Sequence, residues 1–302
     1  MAATTCSMST AITTDRHGPD LISSLSLWQE PFMQRALIGG VISGILGGWV
    51  GSIAVLRQLS FFAEALGQAS LLGISLALLL GLSPPVLLWP FALGFAWLLR
   101  ELLKRSSLSA DALLSLMCSG ALALSVVLLS SLPGARLSLQ QLLFGDILGI
   151  AWADLLPLAL LLVVTLAYGV ISRRAQILIS IDPVLARSRG VAVETHRMIL
   201  LGLLALVVAA SIKAVGVLLI SGFVVIPACV ARLLSRSFNV YVLLAAGIGA
   251  LSAVVGLFGS AVFNQPSGPM VVLVQALLFV VALLAGRWVA QTTTAVSVDR
   301  AR

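Results

Sequence analysis

Residues 59–81 read LSFFAEALGQASLLGISLALLLG. As a helix this run is long and apolar enough to cross a bilayer, since about 20 residues at roughly 1.5 Å rise span the hydrocarbon. It holds one acid. Glu64 sits a turn or so inside, and Gln68 lies one helical turn further on the same face. Every other acid of the chain falls at the end of an apolar stretch, in a loop or in a tail. A carboxylate is costly in lipid, so it must face a bundle interior or an aqueous path and have a partner. Two roles fit Glu64: a hydrogen bond between helices, or a place on a transport pathway, which intramembrane acids mark by default.

The rest of the chain repeats this apolar theme. Nine hydrophobic stretches follow one another, at about 33–56, 59–81, 84–99, 109–131, 153–172, 196–212, 214–234, 238–262 and 269–287. The third is short and the sixth and seventh nearly merge, so the expectation is an all-α polytopic bundle of about nine spans, within eight to ten. Composition agrees, with 60% hydrophobic and 10% charged residues against about 25% charged in a soluble domain. The net charge of +7 would suggest nucleic acid as partner of a soluble protein. In a bundle it reflects basic loops on the cytoplasmic face, and the partner is the bilayer. Cys6, Cys118 and Cys229 show no paired spacing, which excludes a disulfide framework or thiolate metal cluster.

The basic residues orient the chain. With the first, third, fifth and seventh loops and the C-terminus inside, the cytoplasm holds Arg57, Arg100, Lys104, Arg105, Arg173, Arg174, Arg187, Arg189, Arg197, Arg232, Arg236, Arg287, Arg300 and Arg302. Only Arg16, Arg35, Arg136 and Lys213 stay on the other side. This asymmetry places the N-terminus outside and the C-terminus inside the cell membrane. Residues 1–31 form a polar, disordered extension, 32–288 the membrane domain, and 289–302 a cytoplasmic tail. Met8 and Met33 are alternative starts.

Smaller features carry chemistry or packing. Gly40, Gly44 and Gly48 recur every fourth residue, which lets another helix approach closely. Pro227 bends or breaks the seventh span and frees backbone carbonyls near a pathway. In the outer loop 142–148, LLFGDIL, Asp146 either steers a cation to an outer mouth or caps a short helix. In the long inner loop 172–197, Asp182 and Pro183 make a helix start, and a short helix 183–189 ends at Gly190. Such a helix suits docking of a cytoplasmic partner, or rests with its basic loop on anionic headgroups.

These pieces together resemble the permease family of ABC importers for zinc, manganese and iron, nearest to the zinc (ZnuB-type) members. The matching segments are FMQRAL (32–37), VLRQLSFFAEALGQASLLG (55–73), SADALLSLM (109–117), LLFGDIL (142–148), DPVLARSRGV (182–191), IKAVGVLLISGFVVIPACVARLL (212–234) and PSGP (266–269). The resemblance implies a permease working with a second copy of itself, two cytoplasmic P-loop ATPase subunits, and an extracytoplasmic metal-binding protein. It also implies that Asp182, Pro183, Val184, Leu185, Ala186, Arg187, Arg189 and Gly190 form a coupling helix that docks into an ATPase groove. The chain itself lacks a Walker A motif: neither of its two lysines, Lys104 and Lys213, follows a glycine-rich phosphate loop, so ATP acts only through the partner. No His-Glu-x-x-His motif or Ser/His pair lies within the spans, which argues against an embedded enzyme.

The chain departs from the family at the metal. Where the family carries Asp and His four residues apart, this sequence has Glu64 and Gln68. The carboxylate keeps a hard oxygen donor, whereas an amide replaces the imidazole, a poorer ligand for zinc and an acceptable one for manganese. The family's Asp before the Pro–Gly turn is absent too, with Asn264 and Gln265 near that place. The expectation is a divalent-metal importer, zinc first, then manganese or iron, with the cation a cargo and no bound cofactor. A competing reading is a secondary carrier or channel acting alone with Glu64 as its cation site. Such proteins carry inverted repeats, which the sequence does not display.

Overall fold

The computed structural model describes residues 31–130, 145, 149–263 and 265–299, and from 286 onward the backbone alone. The N-terminal extension, Asp146 and Asn264 lie outside the described residues. The fold is all-α. Its helices are α1 (Pro31–Leu56), α2 (Ser60–Leu79), α3 (Pro84–Arg105), α4 (Ala110–Ser130), α5 (Trp152–Ile171), α6 (Arg173–Ile181), α7 (Pro183–Ser188), α8 (Val193–Val215), α9 (Ile220–Leu234), α10 (Phe238–Phe263) and α11 (Ser267–Asp299). Eight of the described helices are long and apolar enough to cross a membrane, and the shorter α9 is a ninth apolar element.

The bundle has a dense centre and a lipid-like rim. Helices α1, α2, α8 and α9 contribute most of the buried core, including Leu46, Phe62, Leu66, Leu204 and Phe223. The outer helices expose large side chains, such as Leu156, Leu160 and Val163 on α5 and Leu273 and Leu277 on α11. A helix apolar on its outward face as well as its inward one has a membrane as solvent.

Glycine sets the closest contact. A Cβ on Gly44 would strike the backbone of Gly249, and one on Gly48 the backbone of Ala245, so α1 and α10 touch main chain to main chain. The four-residue repeat thus packs α1 on α10 as small-residue stripes do in membranes. Across this seam the Tyr241 hydroxyl donates to the Ser52 carbonyl at 3.0 Å.

The sixth and seventh stretches are not one helix. The chain leaves α8 at Gly216, whose φ of +91° suits a residue without a side chain, and turns through 217–219 before α9. At 15 residues α9 reaches about 22 Å at 1.5 Å per residue, short of a full crossing. It runs through Pro227 without interruption, so the break in this region lies at Gly216 rather than at the proline. Gly145, from the LLFGDIL segment, also has positive φ and sits directly on the backbone of Val215 and Gly216.

A candidate ion path and coupling surface

Glu64 and Gln68 are half-buried on one face of α2, and the Gln68 Nε2 donates to Glu64 Oε1 at 3.3 Å. The neighbouring α4 supplies a third polar group: the buried Cys118 thiol donates to Gln68 Oε1 at 3.1 Å. Thiol, amide and carboxylate form one chain between two helices. Below it, towards the start of both helices, an open cavity is lined by Gln58, Ser60 and Phe61 with Asp111, Ser115 and Arg232. Asp111, Ser115 and Cys118 follow one another at helical spacing along α4. A file of polar groups therefore leads from this end of the bundle to Glu64.

Sequence reading singled out Glu64 and Gln68 and missed Asp111, Ser115 and Cys118. The signal available was their i, i+4, i+7 spacing, which puts three polar side chains on one face of an otherwise apolar helix. Among the described residues no three of His, Cys, Asp and Glu come together.

The structure gathers one set of connections at one end. Gln58 from the first loop, Asp111 beside the third and Arg232 beside the seventh share the cavity just described. Arg57, from the first loop, shares a second groove with Pro183, Arg187 and Arg197 around the fifth. Lys213 pairs with Asp154, joining the end of α8 to the start of α5.

Helix α7 stands out at the basic end. Asp182 Oδ1 accepts from the Val184 and Leu185 amides at 2.7 and 3.2 Å, a side-chain cap at its first turn, and Pro183 fixes the following φ. Arg189 closes the helix and Gly190 follows at φ +78°, so it ends one residue before the sequence-based bound. Ala186 is fully buried against Ile179 and Val193 and anchors one side. The opposite side shows Val184 at 71% and Leu185 at 42% exposure, beside exposed Arg187 and Arg189. Arg187 reaches Glu194 at 3.3 Å, but both side chains are wet, so the pair contributes little. Pro227 lies buried within α9.

A helix bundle with an apolar rim, an acid one turn inside an apolar span and a small amphipathic helix on the basic end are the marks of a transporter's membrane subunit. The ABC 3 transport family matches residues 29–286, and the chain belongs to that family. It is similar to the manganese transport system membrane protein MntC of Listeria monocytogenes, at 29% identity over 85% of this chain and 92% of that protein. It also resembles the high-affinity zinc uptake system membrane protein ZnuB of Haemophilus influenzae, at 31% identity over 82% and 95%. Among solved structures, PsaBC from Streptococcus pneumoniae in complex with Fab superposes with a TM-score of 0.77 at 29% identity, covering 87% of this chain and 95% of that one.

The chain is accordingly a multi-pass permease of an ABC-type divalent metal importer, and ATP is hydrolysed in a separate ATPase subunit. One expectation is corrected. The partnership with a second copy of itself does not stand, because the solved relative is described as PsaBC, an assembly named for two components. Unlike chains meet through two different complementary surfaces, whereas a self-pairing needs one patch that fits itself.

Proposed function

We propose that this permease carries manganese(II) in preference to zinc(II), with Glu64 and Gln68 as its transient donors. The observation that carries this reading is the donor set on α2. It pairs a carboxylate with an amide and has no imidazole, and the neighbouring Cys118 thiol is engaged in donating to the amide oxygen; oxygen ligands suit manganese whereas zinc gains from imidazole nitrogen. This reverses the order, zinc before manganese, expected from the resemblance alone. Few donors also suit a path, since a cation held tightly midway would not leave.

In this reading the N-terminus is outside and the basic end of the bundle faces the cytoplasm, as the positive-inside rule asks. An extracytoplasmic binding protein delivers the ion. The Asp182-capped α7 docks through Val184 and Leu185 into a groove of the ATPase, with Arg187 and Arg189 at the rim. Closure of the ATPases then opens the cytoplasmic mouth beside Gln58, Asp111 and Arg232.

The test is uptake by proteoliposomes holding this chain with its cognate ATPase and binding protein, offered manganese and zinc in competition. ATP-dependent uptake favouring manganese is the expected result. Zinc preference would reverse the cargo assignment, and a metal flux from this chain alone would overturn the ABC mechanism.

A further inference from the structure

Around the base of the coupling helix, four helices meet at one buried side chain. Gln176 on α6 is 1% exposed. Its Oε1 accepts from Arg57 Nη2 at the end of α1. Its Nε2 donates to the Tyr168 hydroxyl on α5 at 2.9 Å. That hydroxyl lies 2.9 Å from Nδ1 of His196 on α8 and 3.4 Å from the same residue's carbonyl. One amide thus fastens the ends of α1, α5 and α8 to the segment that carries α7, since Asp182 both closes α6 and caps α7.

The arrangement is expensive. The Arg57 Nε is buried without an acceptor, and burial lowers the guanidinium pKa from its usual value. Arg197 nearby adds like charge. The amide oxygen of Gln176 is neutral, so it satisfies a donor without cancelling the charge. A positive charge held this way is a weak stabiliser of the fold and calls for another role.

Its position supplies one. Arg57 is followed by Gln58 at φ +57°, the one non-glycine residue with positive φ among those described. Leu59 then turns its N–H back to the Ala54 carbonyl at 2.9 Å, and α2 starts at Ser60. The corner between α1 and α2 is therefore tight and strained, and a shift of Arg57 moves the start of the helix that carries Glu64.

We propose that Gln176 is a positioning residue for transport: through Arg57 it hands the motion of the ATPase-docked α6–α7 segment to the α1–α2 corner, and so to Glu64. This rests on the reading that α7 docks an ATPase. A purely structural Gln176 would alter the yield or stability of the complex and leave the stoichiometry alone, whereas a relay sets how much transport each ATP drives.

The experiment reads both quantities from the same vesicles, with the complete complex reconstituted and manganese uptake and phosphate release followed together. Gln176→Leu keeps the shape and removes both hydrogen bonds. Hydrolysis by that variant is expected within about twofold of wild type, while manganese moved per ATP falls about tenfold, the range for residues in one hydrogen-bond network. Gln176→Glu keeps an acceptor for Arg57 and is expected to recover the ratio to within about threefold. An unchanged ratio in Gln176→Leu overturns the relay. Should that variant fail to assemble, Tyr168→Phe removes only the hydroxyl that holds the amide; a ratio lowered about threefold supports the relay and a wild-type ratio overturns it. Wild-type vesicles that take up neither manganese nor zinc with ATP would instead sink the transport reading on which the proposal stands.

Discussion

The side-chain amide of Gln68 donates to the Glu64 carboxylate at 3.3 Å, one turn apart on α2. The contact satisfies one oxygen of the acid and leaves its other acceptor positions for something else. In a span otherwise made of apolar and small residues, the remaining candidates are water and a cation. The pair is therefore a hydrogen bond one turn long, and on the proposed reading a passing cation would take the acceptor positions of Glu64 that Gln68 leaves free.

Replacing the carboxylate separates those roles. Glu64→Ala removes the acid one turn inside α2, and metal-dependent uptake by the reconstituted complex is expected to fall to background. Insertion and assembly should survive, because deleting a half-buried acid from an apolar span relieves a desolvation cost. Metal uptake at the wild-type rate in Glu64→Ala would dismiss the residue as a ligand.

Gln68→His tests selectivity on the same turn. Imidazole offers zinc a nitrogen donor that the amide lacks. Competition uptake is expected to move towards zinc by about tenfold, the effect of roughly 1.4 kcal/mol at one ligand. Unchanged competition would mean that selectivity resides in the binding protein.

The α1–α10 seam makes a stability prediction with its own control. Gly48→Ala puts a methyl group into the Ala245 backbone, where no side chain can swing aside. Overpacking of this kind costs about 1–3 kcal/mol, read as a lower thermal midpoint of the purified complex in detergent. Gly94 and Gly120 have open space where a Cβ would stand. Their alanine variants should match wild type or exceed it by about 0.5–1 kcal/mol, since helical glycine carries excess chain entropy.

The spans were legible in the sequence because lipid demands a long apolar run for each crossing, and the helices fall on all nine predicted stretches. The break between α8 and α9 was less visible. Residues 196–234 are nearly continuous in hydropathy, and the turn depends on one positive φ at Gly216, where Pro227 offered the louder local signal. Glu64 announced itself as an acid in a span. Cys118 did not, since its meeting with Gln68 depends on how α2 and α4 are registered, which hydropathy does not encode. Gln176 was hidden for the opposite reason. In a basic loop a glutamine reads as solvated, and only the convergence of α1, α5 and α8 buries it.

The cap of α7 yields a prediction about coupling that does not touch the ion path. A helix of six residues is too short to hold itself together, so its first turn depends on Asp182 Oδ1 accepting from the amides of Val184 and Leu185. Asp182→Ala removes that acceptor at a cost of about 1 kcal/mol, whereas Asp182→Asn keeps an oxygen in place. Because Val184 and Leu185 supply the exposed apolar surface beside the cap, fraying reaches the proposed docking face first. The ATPase should therefore bind Asp182→Ala about fivefold more weakly than wild type, as 1 kcal/mol implies, and Asp182→Asn with nearly wild-type affinity. Calorimetric titration of the ATPase onto the permease in nanodiscs checks this. Equal affinities for all three would place the docking contact elsewhere on the basic end of the bundle, with the Arg57, Arg187 and Arg197 groove next to be tested.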